Sequence, residues 1–360
     1  MRLTQLNITN VRNLQQLTFT CAPRYNIICG TNGSGKTSLL EAIYLLVLGR
    51  SFRSHVKTRV IHYQADYLSV SGYLETVDGL QLSVGIQKFT TGQTQLQLNQ
   101  QRINTIAEIA ALLPIQLINA HSYDLLGSLS KHRRQFMDWG VFHVKQPFYR
   151  LWVKTERILK QRNAALKKQA TLAEITSWDN ELSTLAQQIH TLRAAYIEQL
   201  LPIVHEFSLL FSNLPLVTIG YVPGWDPTCP LAEQLHHWLS QDLCQGYTHI
   251  GPQRATLQIT VANQPVQECL SRGQQKVLIL ILRLAQAELL ERQQNKSCLY
   301  LIDDFVAELD AHYQQQVMAL MQQRSGQFFI TGIDSMPLQP LTTPVVSQTV
   351  LLEQGALKVP

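Results

Sequence analysis

The sequence predicts an α/β fold in which both ends of the chain build one lobe and a mainly helical lobe is inserted between them. Strand-like apolar runs alternate with helical patterns near both termini, and strand patterns disappear between about residues 123 and 211. A Gly-rich stretch with the spacing GxxxxGKT also joins an apolar run to a helical pattern. This alternation is typical of an α/β lobe. The expected bounds are 1–120 and 276–360 for the α/β lobe, and 121–275 for the helical lobe.

The N-terminal elements follow from hydrophobic patterning. The segments "RLTQLNIT" and "LQQLTFT" alternate between apolar and polar residues, which predicts strands, and "YNIIC" is a short apolar run before Gly30. A helix is expected from about Lys36 to Val47. The segment "DYLSVSGYLETVDGLQLSVGIQKF" alternates on both sides of Asp78-Gly79, which predicts a hairpin. The apolar run at 115–119 is a further candidate strand.

The middle of the chain is rich in helix formers. "YRLWVKTERILKQRNAALKKQA" and "WDNELSTLAQQIHTLRAAYIEQLLPIVHEFSLLF" predict helices without a sustained heptad. Strand patterns return at "LPLVTIGYV" and "ATLQITVANQPVQ". A helix is then expected after Gly273, followed by strands at "CLYLI", "QFFIT" and "SQTVLL", with a helix at "YQQQVMALMQQ".

Composition excludes several classes of protein. Apolar residues make up 45% of the 360 residues and charged residues 15%, which is typical of a folded globular chain. No apolar run reaches the ~18 residues of a membrane span, and the densest, "VLILILRLA", is interrupted by Arg283. The six cysteines form no CxxC pair, which favours free thiols over a disulfide or zinc framework. The sequence therefore predicts a cytoplasmic protein without a membrane segment.

The GxxxxGKT stretch predicts a nucleoside triphosphate site. Its glycines let backbone N–H groups turn toward a β-phosphate, its lysine reaches the β- and γ-phosphates, and its threonine hydroxyl binds Mg²⁺. The helix that begins there adds a partial positive charge. A Gly-rich turn with a chance lysine is the alternative, which the complete pattern disfavours. The candidate residues are Gly30, Thr31, Asn32, Gly33, Ser34, Gly35, Lys36 and Thr37.

A pair of aspartates follows the apolar run "CLYLI". Asp303 is expected to hold Mg²⁺ through water and Asp304 to polarise an attacking water, so Lys36, Asp303 and Asp304 are the candidate catalytic residues. For Asp304 a polar strand end that caps the next segment remains an alternative. Because many such enzymes have the longer glutamate here, the aspartate predicts slow hydrolysis. In "AELD", Asp310 is expected to cap a helix.

The stretch "LSRGQQK", residues 270–276, places Ser271, Gly273 and Gln274 where a helix is expected to begin. A helix N-terminus with a hydroxyl and backbone N–H groups suits an anion. The chain therefore carries two stretches suited to phosphate.

The order of three motifs resembles that of the ABC-type ATPases, whose heads pair two nucleotide sites across a dimer. These motifs are the phosphate loop, the SRGQ stretch and the double aspartate followed by ELD. Within that superfamily the chain resembles the RecF family, bacterial DNA-repair ATPases related to chromosome-maintenance heads. The resemblance covers most of the chain and includes "LNITNVRNL", "GRSFRS", "KHRRQFMDWGVFH", "THIGPQRATL", "LSRGQQK" and "LIDDFVAELD".

This resemblance implies an ABC-type P-loop ATPase head that binds ATP and Mg²⁺ and forms an ATP-dependent homodimer on single-stranded and double-stranded DNA at gaps. It implies a weak, DNA-stimulated ATPase that helps to load the recombinase together with RecO and RecR, in DNA repair, replication and the SOS response. By analogy, Ser271, Gly273 and Gln274 would meet the γ-phosphate held by a second subunit, Asp310 would face the opposite protomer, and Arg12 would approach the nucleotide.

The chain departs from the wider pattern at three places. Ala120-His121 stands where transporters have a glutamine loop and the RecF pattern has Pro-Glu, and His121 is either a polar substitute or a loop residue. Thr331 and Asp334 stand where a histidine usually follows the strand, so the γ-phosphate sensor is not identified. The signature has Gly-Gln-Gln in place of Gly-Gly-Gln.

Positive charge is concentrated in one block. The chain has a net charge of +5, but residues 131–168 contain eleven Lys or Arg and two acids, a local charge of +9. Arg150, Lys154 and Arg157 share a helix face, and Arg133 and Arg134 precede it. Such side chains would bind DNA phosphates in a salt-sensitive manner, although a solvated helix face is the alternative.

A second basic run lies at 42–65 and contains Arg50, Arg53, Lys57 and Arg59 without an acid. Its ligand is left open among DNA, the nucleotide and a partner protein.

Two other functions compete with a DNA-binding ATPase. An ABC transporter ATPase subunit would need the usual glutamine loop and has no use for the +9 segment. A metabolic P-loop kinase has no role for the SxGQ stretch.

Overall fold

The computed structural model describes residues 1–304, 309–333, 341 and 346–358. The chain forms two compact units, the first made of Met1–Ser122 and Asn295–Pro360 and the second of Tyr123–Gln294. The boundary expected at residue 275 therefore shifts to residue 294, because one unbroken helix runs from Arg272 to Gln294.

The strands, in chain order, are β1 (Arg2–Val11), β2 (Leu14–Thr20), β3 (Tyr25–Cys29), β4 (Tyr67–Glu75), β5 (Gln81–Phe89), β6 (Thr94–Leu98), β7 (Gln101–Ile103), β8 (Ile115–Ile118), β9 (Thr218–Val222), β10 (Thr256–Val261), β11 (Gln264–Pro265), β12 (Leu299–Ile302), β13 (Gln327–Gly332), β14 (Ser347–Glu353) and β15 (Ala356–Lys358).

The helices are α1 (Lys36–Leu48), α2 (Ala107–Leu112), α3 (Ser130–Val144), α4 (Phe148–Lys167), α5 (Leu172–Thr176), α6 (Asp179–Ser208), α7 (Leu231–His237), α8 (Leu239–Gln245), α9 (Val266–Cys269), α10 (Arg272–Gln294) and α11 (Ala311–Gln322). Among the helices that the structure describes, none has the length and apolar character needed to cross a bilayer.

The first unit is built on two six-stranded sheets. The order β2-β1-β4-β5-β6-β7 is antiparallel throughout, and the predicted hairpin at Asp78-Gly79 joins β4 to β5. In the order β15-β14-β3-β13-β12-β8, all strands except β15 are parallel. Apolar residues of both sheets and of α1 form one core, so α1 is covered on more than one side. This explains why Leu39, Leu40 and Ile43 are fully buried.

The second unit is mainly helical, as the sequence predicts, with one three-stranded sheet in the order β11-β10-β9. Two arginines are fully buried in it. Arg162 donates to Asp179 (Nε–Oδ1, 2.8 Å) and to Asp242 (Nη1–Oδ2, 2.7 Å), and Arg193 donates to Asp138 (Nε–Oδ1, 2.9 Å). Arg162 belongs to the predicted basic block, so at least one of its positive charges lies in internal ion pairs rather than on the surface.

Candidate nucleotide site

The predicted phosphate loop connects β3 to α1. Gly30, Gly33 and Gly35 all have positive φ, at 155°, 83° and 113°, which side chains rarely adopt. A Cβ at Gly30 would lie 2.4 Å from the carbonyl oxygen of Leu352, so only glycine fits there. The loop therefore turns tightly into the N-terminus of α1, where backbone N–H groups are available to an anion.

Lys36, the first residue of α1, lies inside this loop and is 5% exposed. Its Nζ donates to the carbonyl oxygens of Gly30 (2.7 Å) and Thr31 (3.1 Å). The ammonium group is thereby held within the loop, where phosphate oxygens would be its natural acceptors.

Asp303 follows β12 and accepts two hydroxyl hydrogen bonds. Its Oδ1 lies 3.0 Å from Thr37 Oγ1 and 2.8 Å from Thr331 Oγ1. The strand order explains this meeting: β13 lies between β3 and β12, so Thr331 at its end stands between the loop and the aspartate. Burial raises the pKa of Asp303, and the hydroxyls of Thr331 and Thr37 partly offset that effect.

These residues fit a hard cation. Mg²⁺ prefers oxygen ligands from one or two protein groups together with phosphates. The Thr37 hydroxyl and the Asp303 carboxylate converge beside the phosphate loop, within 3.0 Å of each other. The residues that could hold Mg²⁺ are therefore the two that the sequence predicts.

Thr331 lies beside the two aspartates. It is 2% exposed, donates to Asp303 and accepts from the backbone N–H of Asp304 (3.0 Å). Its hydroxyl is thus engaged in orienting the two aspartates. Asp334, the other residue considered for the sensor, lies outside the described residues.

Asp304 has a left-handed backbone, with φ at 49°. Its Oδ1 is buried and receives no hydrogen bond from the part of the chain that the structure describes. A buried carboxylate oxygen without a donor is costly, and a water-activating role would satisfy it. The segment that a capping Asp304 would serve, residues 305–308, lies outside the described residues.

Sequence reasoning missed Asn13, which ties the loop to α1. Its Nδ2 donates to the carbonyl oxygen of Gly33 (3.1 Å) and its Oδ1 accepts from Ser38 Oγ (2.8 Å). The available signal was its place in "NVRNL", at the turn between β1 and β2.

Arg12, in the same turn, binds Glu41 of α1 through two hydrogen bonds of 2.9 and 2.8 Å rather than pointing freely at the loop. Glu41 is fully buried, also accepts from Ser51 and lies 3.7 Å from Arg53 Nη1. This carboxylate therefore anchors the second basic run to the helix that follows the phosphate loop.

The SRGQ stretch forms a reciprocal cap at the start of α10. The backbone N–H of Gln274 donates to Ser271 Oγ (3.3 Å), and that of Ser271 donates to Gln274 Oε1 (2.9 Å). This is a capping box, and Gln274 Nε2 also donates to the carbonyl oxygen of Asn213 (2.7 Å). Ser271 remains exposed and Gly273 half-buried. The stretch belongs to the second unit, whereas the phosphate loop belongs to the first.

Two other predicted residues are placed as follows. Asp310 caps α11 and accepts from the backbone N–H of Tyr313 (2.9 Å), as the sequence predicts. His121 is exposed in a short 3₁₀ turn over Ala120–Leu125.

The candidate DNA contacts fall into two groups. Arg150, Lys154 and Arg157 are exposed on α4. Arg133 instead donates to Thr256 Oγ1 (3.1 Å), and Arg134 donates to the carbonyl oxygen of Ala255 (2.9 Å). These two half-buried guanidinium groups hold α3 to the start of β10, whereas the three α4 residues are exposed.

Comparison with known proteins identifies relatives along the whole chain. Residues 2–349 match the family described as RecF/RecN/SMC N terminal domain. The chain is 42% identical to the DNA replication and repair protein RecF of Actinobacillus pleuropneumoniae serotype 5b (strain L20), over 99% of each chain. It is 39% identical to the protein of the same name from Shewanella sp. (strain W3-18-1), over 100% of this chain and 99% of the relative.

A solved structure shares the fold. The recombination mediator protein RecF-ATP of the RecFOR pathway superposes with a TM-score of 0.87 at 23% identity, covering 99% of this chain and 96% of that one. The expected ABC-type ATPase head, with mixed α/β and helical parts, is confirmed.

Proposed function

This chain belongs to the RecF/RecN/SMC N-terminal domain family, in its RecF branch, and from that premise we propose that it is an ATP-dependent DNA-binding protein of recombinational repair and replication restart. The observation that carries the proposal is the convergence of Thr37 and Asp303 beside the glycine-rich loop that holds Lys36. An ABC transporter ATPase subunit is not favoured, because near-full-length relatives are RecF proteins.

We propose slow ATP hydrolysis in which each of these residues has a separate task. Lys36 and the loop N–H groups would bind the phosphate oxygens, and Thr37 and Asp303 would hold Mg²⁺, which would supply charge neutralisation at the phosphates. Thr331 fixes the orientation of Asp303. Asp304 is proposed to orient the attacking water, and its short side chain supports a low rate. DNA stimulation of this weak ATPase is part of the same proposal.

We propose further that ATP drives formation of a two-fold homodimer. The capping box leaves Ser271 exposed at a helix N-terminus, where its hydroxyl and nearby N–H groups suit an anion. The γ-phosphate held by a second copy is the proposed anion, and Asp310 is proposed to face that copy. Residue Gln274 would act indirectly, since its side chain is engaged in the cap.

Sedimentation with and without ATP tests the shared site. Wild-type protein is expected to dimerise only with ATP, Lys36→Ala to remain monomeric because it loses ATP, and Ser271→Ala to bind ATP yet dimerise at least about tenfold more weakly. Ser177→Ala, at an exposed serine elsewhere in the second unit, is the matched control. If Ser271→Ala dimerises like wild type, the composite site is rejected.

The exposed α4 face is the proposed contact with DNA. Arg150, Lys154 and Arg157 lie one turn apart, which matches a row of phosphates, and none is engaged by an ion pair within the described residues. We propose that this face binds single-stranded and double-stranded DNA without sequence preference.

Replacing all three residues with alanine is expected to weaken duplex binding at low salt by about tenfold or more and to lower the salt slope by up to about 3, one for each lost phosphate contact. Fluorescence anisotropy across a salt series measures both quantities. The triple variant Arg2→Ala, Arg24→Ala, Arg292→Ala removes equal charge elsewhere and is the control. A slope that is unchanged in the α4 variant would reject this face.

The remaining proposals rest on family membership. We propose RecO and RecR as protein partners in loading the recombinase at gaps, and a reducing cytoplasmic compartment, which the six free cysteine thiols support.

A further inference from the structure

Four side chains form a stacked row on the surface of the second unit, which we call the aromatic row: Trp238, His249, Tyr247 and Arg254. The ring centroids of Trp238 and His249 lie 5.9 Å apart at 23°, and those of His249 and Tyr247 lie 4.4 Å apart at 32°. The guanidinium of Arg254 lies 5.2 Å from the Tyr247 centroid. Trp238 is 39% exposed, Tyr247 is 38% exposed, and Arg254 is exposed.

Hydrogen bonds fix this row from behind. The two ring nitrogens of His249 lie 2.7 Å from Asp242 Oδ1 and 2.7 Å from Gln245 Oε1, and Tyr247 donates its hydroxyl to the same Gln245 oxygen (2.5 Å). Asp242 is in turn fully buried and bound by Arg162. Because Asp242 is buried and bound in this way, the His249 ring that lies between Trp238 and Tyr247 is held in place before any ligand arrives, which lowers the entropic cost of binding.

Exposed lysines flank the aromatic row. The end of α4 packs on the same segment, where Asn163 Oδ1 accepts from the backbone N–H of Thr248 (2.9 Å). Lys167 is close enough that a Cβ on Gly246 would lie 3.1 Å from its Cγ. Lys167 and Lys168 are both exposed. Lys167 therefore brings positive charge next to the exposed aromatic surface at Tyr247, and Lys168 is the next residue of the chain.

This combination suits one kind of ligand. Aromatic rings and guanidinium planes stack on nucleobases that are not paired, while lysines follow the phosphates. A duplex keeps its bases stacked within the helix and presents only phosphates and base edges. The aromatic row is therefore suited to a single strand rather than to a duplex.

We propose that Trp238, Tyr247 and Arg254 form a stacking site for unpaired bases of a DNA strand whose phosphates lie along Lys167 and Lys168. The inference rests on the proposed DNA binding and adds a structural preference to it. The Arg150–Arg157 half of α4 binds any phosphate backbone, whereas the aromatic row binds only unpaired bases.

Comparison with an abasic strand distinguishes contacts to bases from contacts to phosphates, and it uses the wild-type protein. A labelled oligodeoxythymidine of about 20 nucleotides exceeds the reach of a single-strand site of ~16 nucleotides. It is expected to bind at least about tenfold more tightly than an abasic strand of equal length, because stacking on one ring alone accounts for that factor. Equal affinity for the two strands overturns the proposal, since phosphates would then explain all binding.

Substitutions in the aromatic row test whether its side chains bind the bases. Trp238→Ala and Tyr247→Ala should each weaken single-strand binding by about tenfold, leave duplex binding unchanged and keep the salt slope. Trp238→Phe should retain most of the affinity. Tyr73→Ala, at a tyrosine that is 43% exposed in the first unit, is the matched control. Wild-type single-strand affinity in both alanine variants, or an equal loss on duplex, overturns the site.

Tryptophan fluorescence gives an independent measurement. All five tryptophans lie in the second unit, where Trp238 is exposed and the other four are buried or half-buried. Oligodeoxythymidine should quench wild-type emission, and Trp238→Phe should lose that quenching while still binding the strand. Persistent quenching in Trp238→Phe argues against stacking on Trp238. Unchanged duplex binding and salt slope in the α4 triple variant, with oligodeoxythymidine still bound more tightly than the abasic strand, would reject the proposed phosphate face alone, so the two failures are distinguishable.

Discussion

Asp303→Asn is expected to lower the rate of Mg²⁺-dependent ATP hydrolysis by at least about 100-fold, because a correctly held metal contributes several kcal/mol to the transition state. The substitution keeps the shape of the side chain and the Oδ1 acceptor for Thr37 and Thr331, which lie 3.0 and 2.8 Å away. It removes the negative charge. Nucleotide affinity without Mg²⁺ should therefore change little.

Phosphate release and binding of a fluorescent ATP analogue, each measured across a Mg²⁺ titration, separate these two effects. Asp226→Asn removes an exposed carboxylate of the second unit and should leave hydrolysis unchanged. Hydrolysis by Asp303→Asn within about fivefold of wild type, less than 1 kcal/mol by the transition-state relation, would remove Asp303 from the proposed mechanism.

Arg162→Met is expected to lower the free energy of unfolding of the second unit by about 3–5 kcal/mol, because breaking a buried ion pair leaves uncompensated charge. Arg162 is fully buried, and its guanidinium binds Asp179 at 2.8 Å, Asp242 at 2.7 Å and Thr248 Oγ1 at 2.8 Å. Methionine fills similar space but offers no donor to either carboxylate.

Urea unfolding followed by tryptophan emission measures this effect in the second unit, where all five tryptophans lie. Arg292→Met is the matched control. Arg292 also pairs with two carboxylates, those of Glu206 and Glu288, but its side chain is 47% exposed. Exposed pairs contribute at most about 1 kcal/mol. Equal losses in the two variants would contradict the assignment of Arg162 as a buried anchor.

The comparison of these two arginines shows where charge patterning was informative and where it was not. The +9 block was visible in the sequence, but a count of charges does not distinguish Arg150, exposed on α4, from Arg162, buried beneath it. Arg133 and Arg134 were also grouped with the surface, although each donates one hydrogen bond to an acceptor more than a hundred positions away. Pairing with distant residues is decided by tertiary structure.

Turn chemistry explains why one hairpin was predicted and another was missed. Asp78-Gly79 is a strong hairpin signal, and its hairpin was predicted. The hairpin between β6 and β7 was missed, because its turn places Asn99 and Gln100 at φ of 50° and 62° without a glycine. The helices α7 and α8 were also missed, since each has only seven residues and too few turns to show a period.

The sequence by itself determined the phosphate loop, the helix that follows it, a helix start near Ser271, the cap at Asp310, and the division into an α/β part and a helical part. These features depend on local backbone conformation and on periodic patterning, which neighbouring residues encode. Only the tertiary structure decided that β13 lies between β3 and β12, so that Thr331 orients Asp303, and that Glu41 receives Arg12. Such contacts join residues far apart in the chain, and their formation depends on strand order and burial rather than on any local pattern.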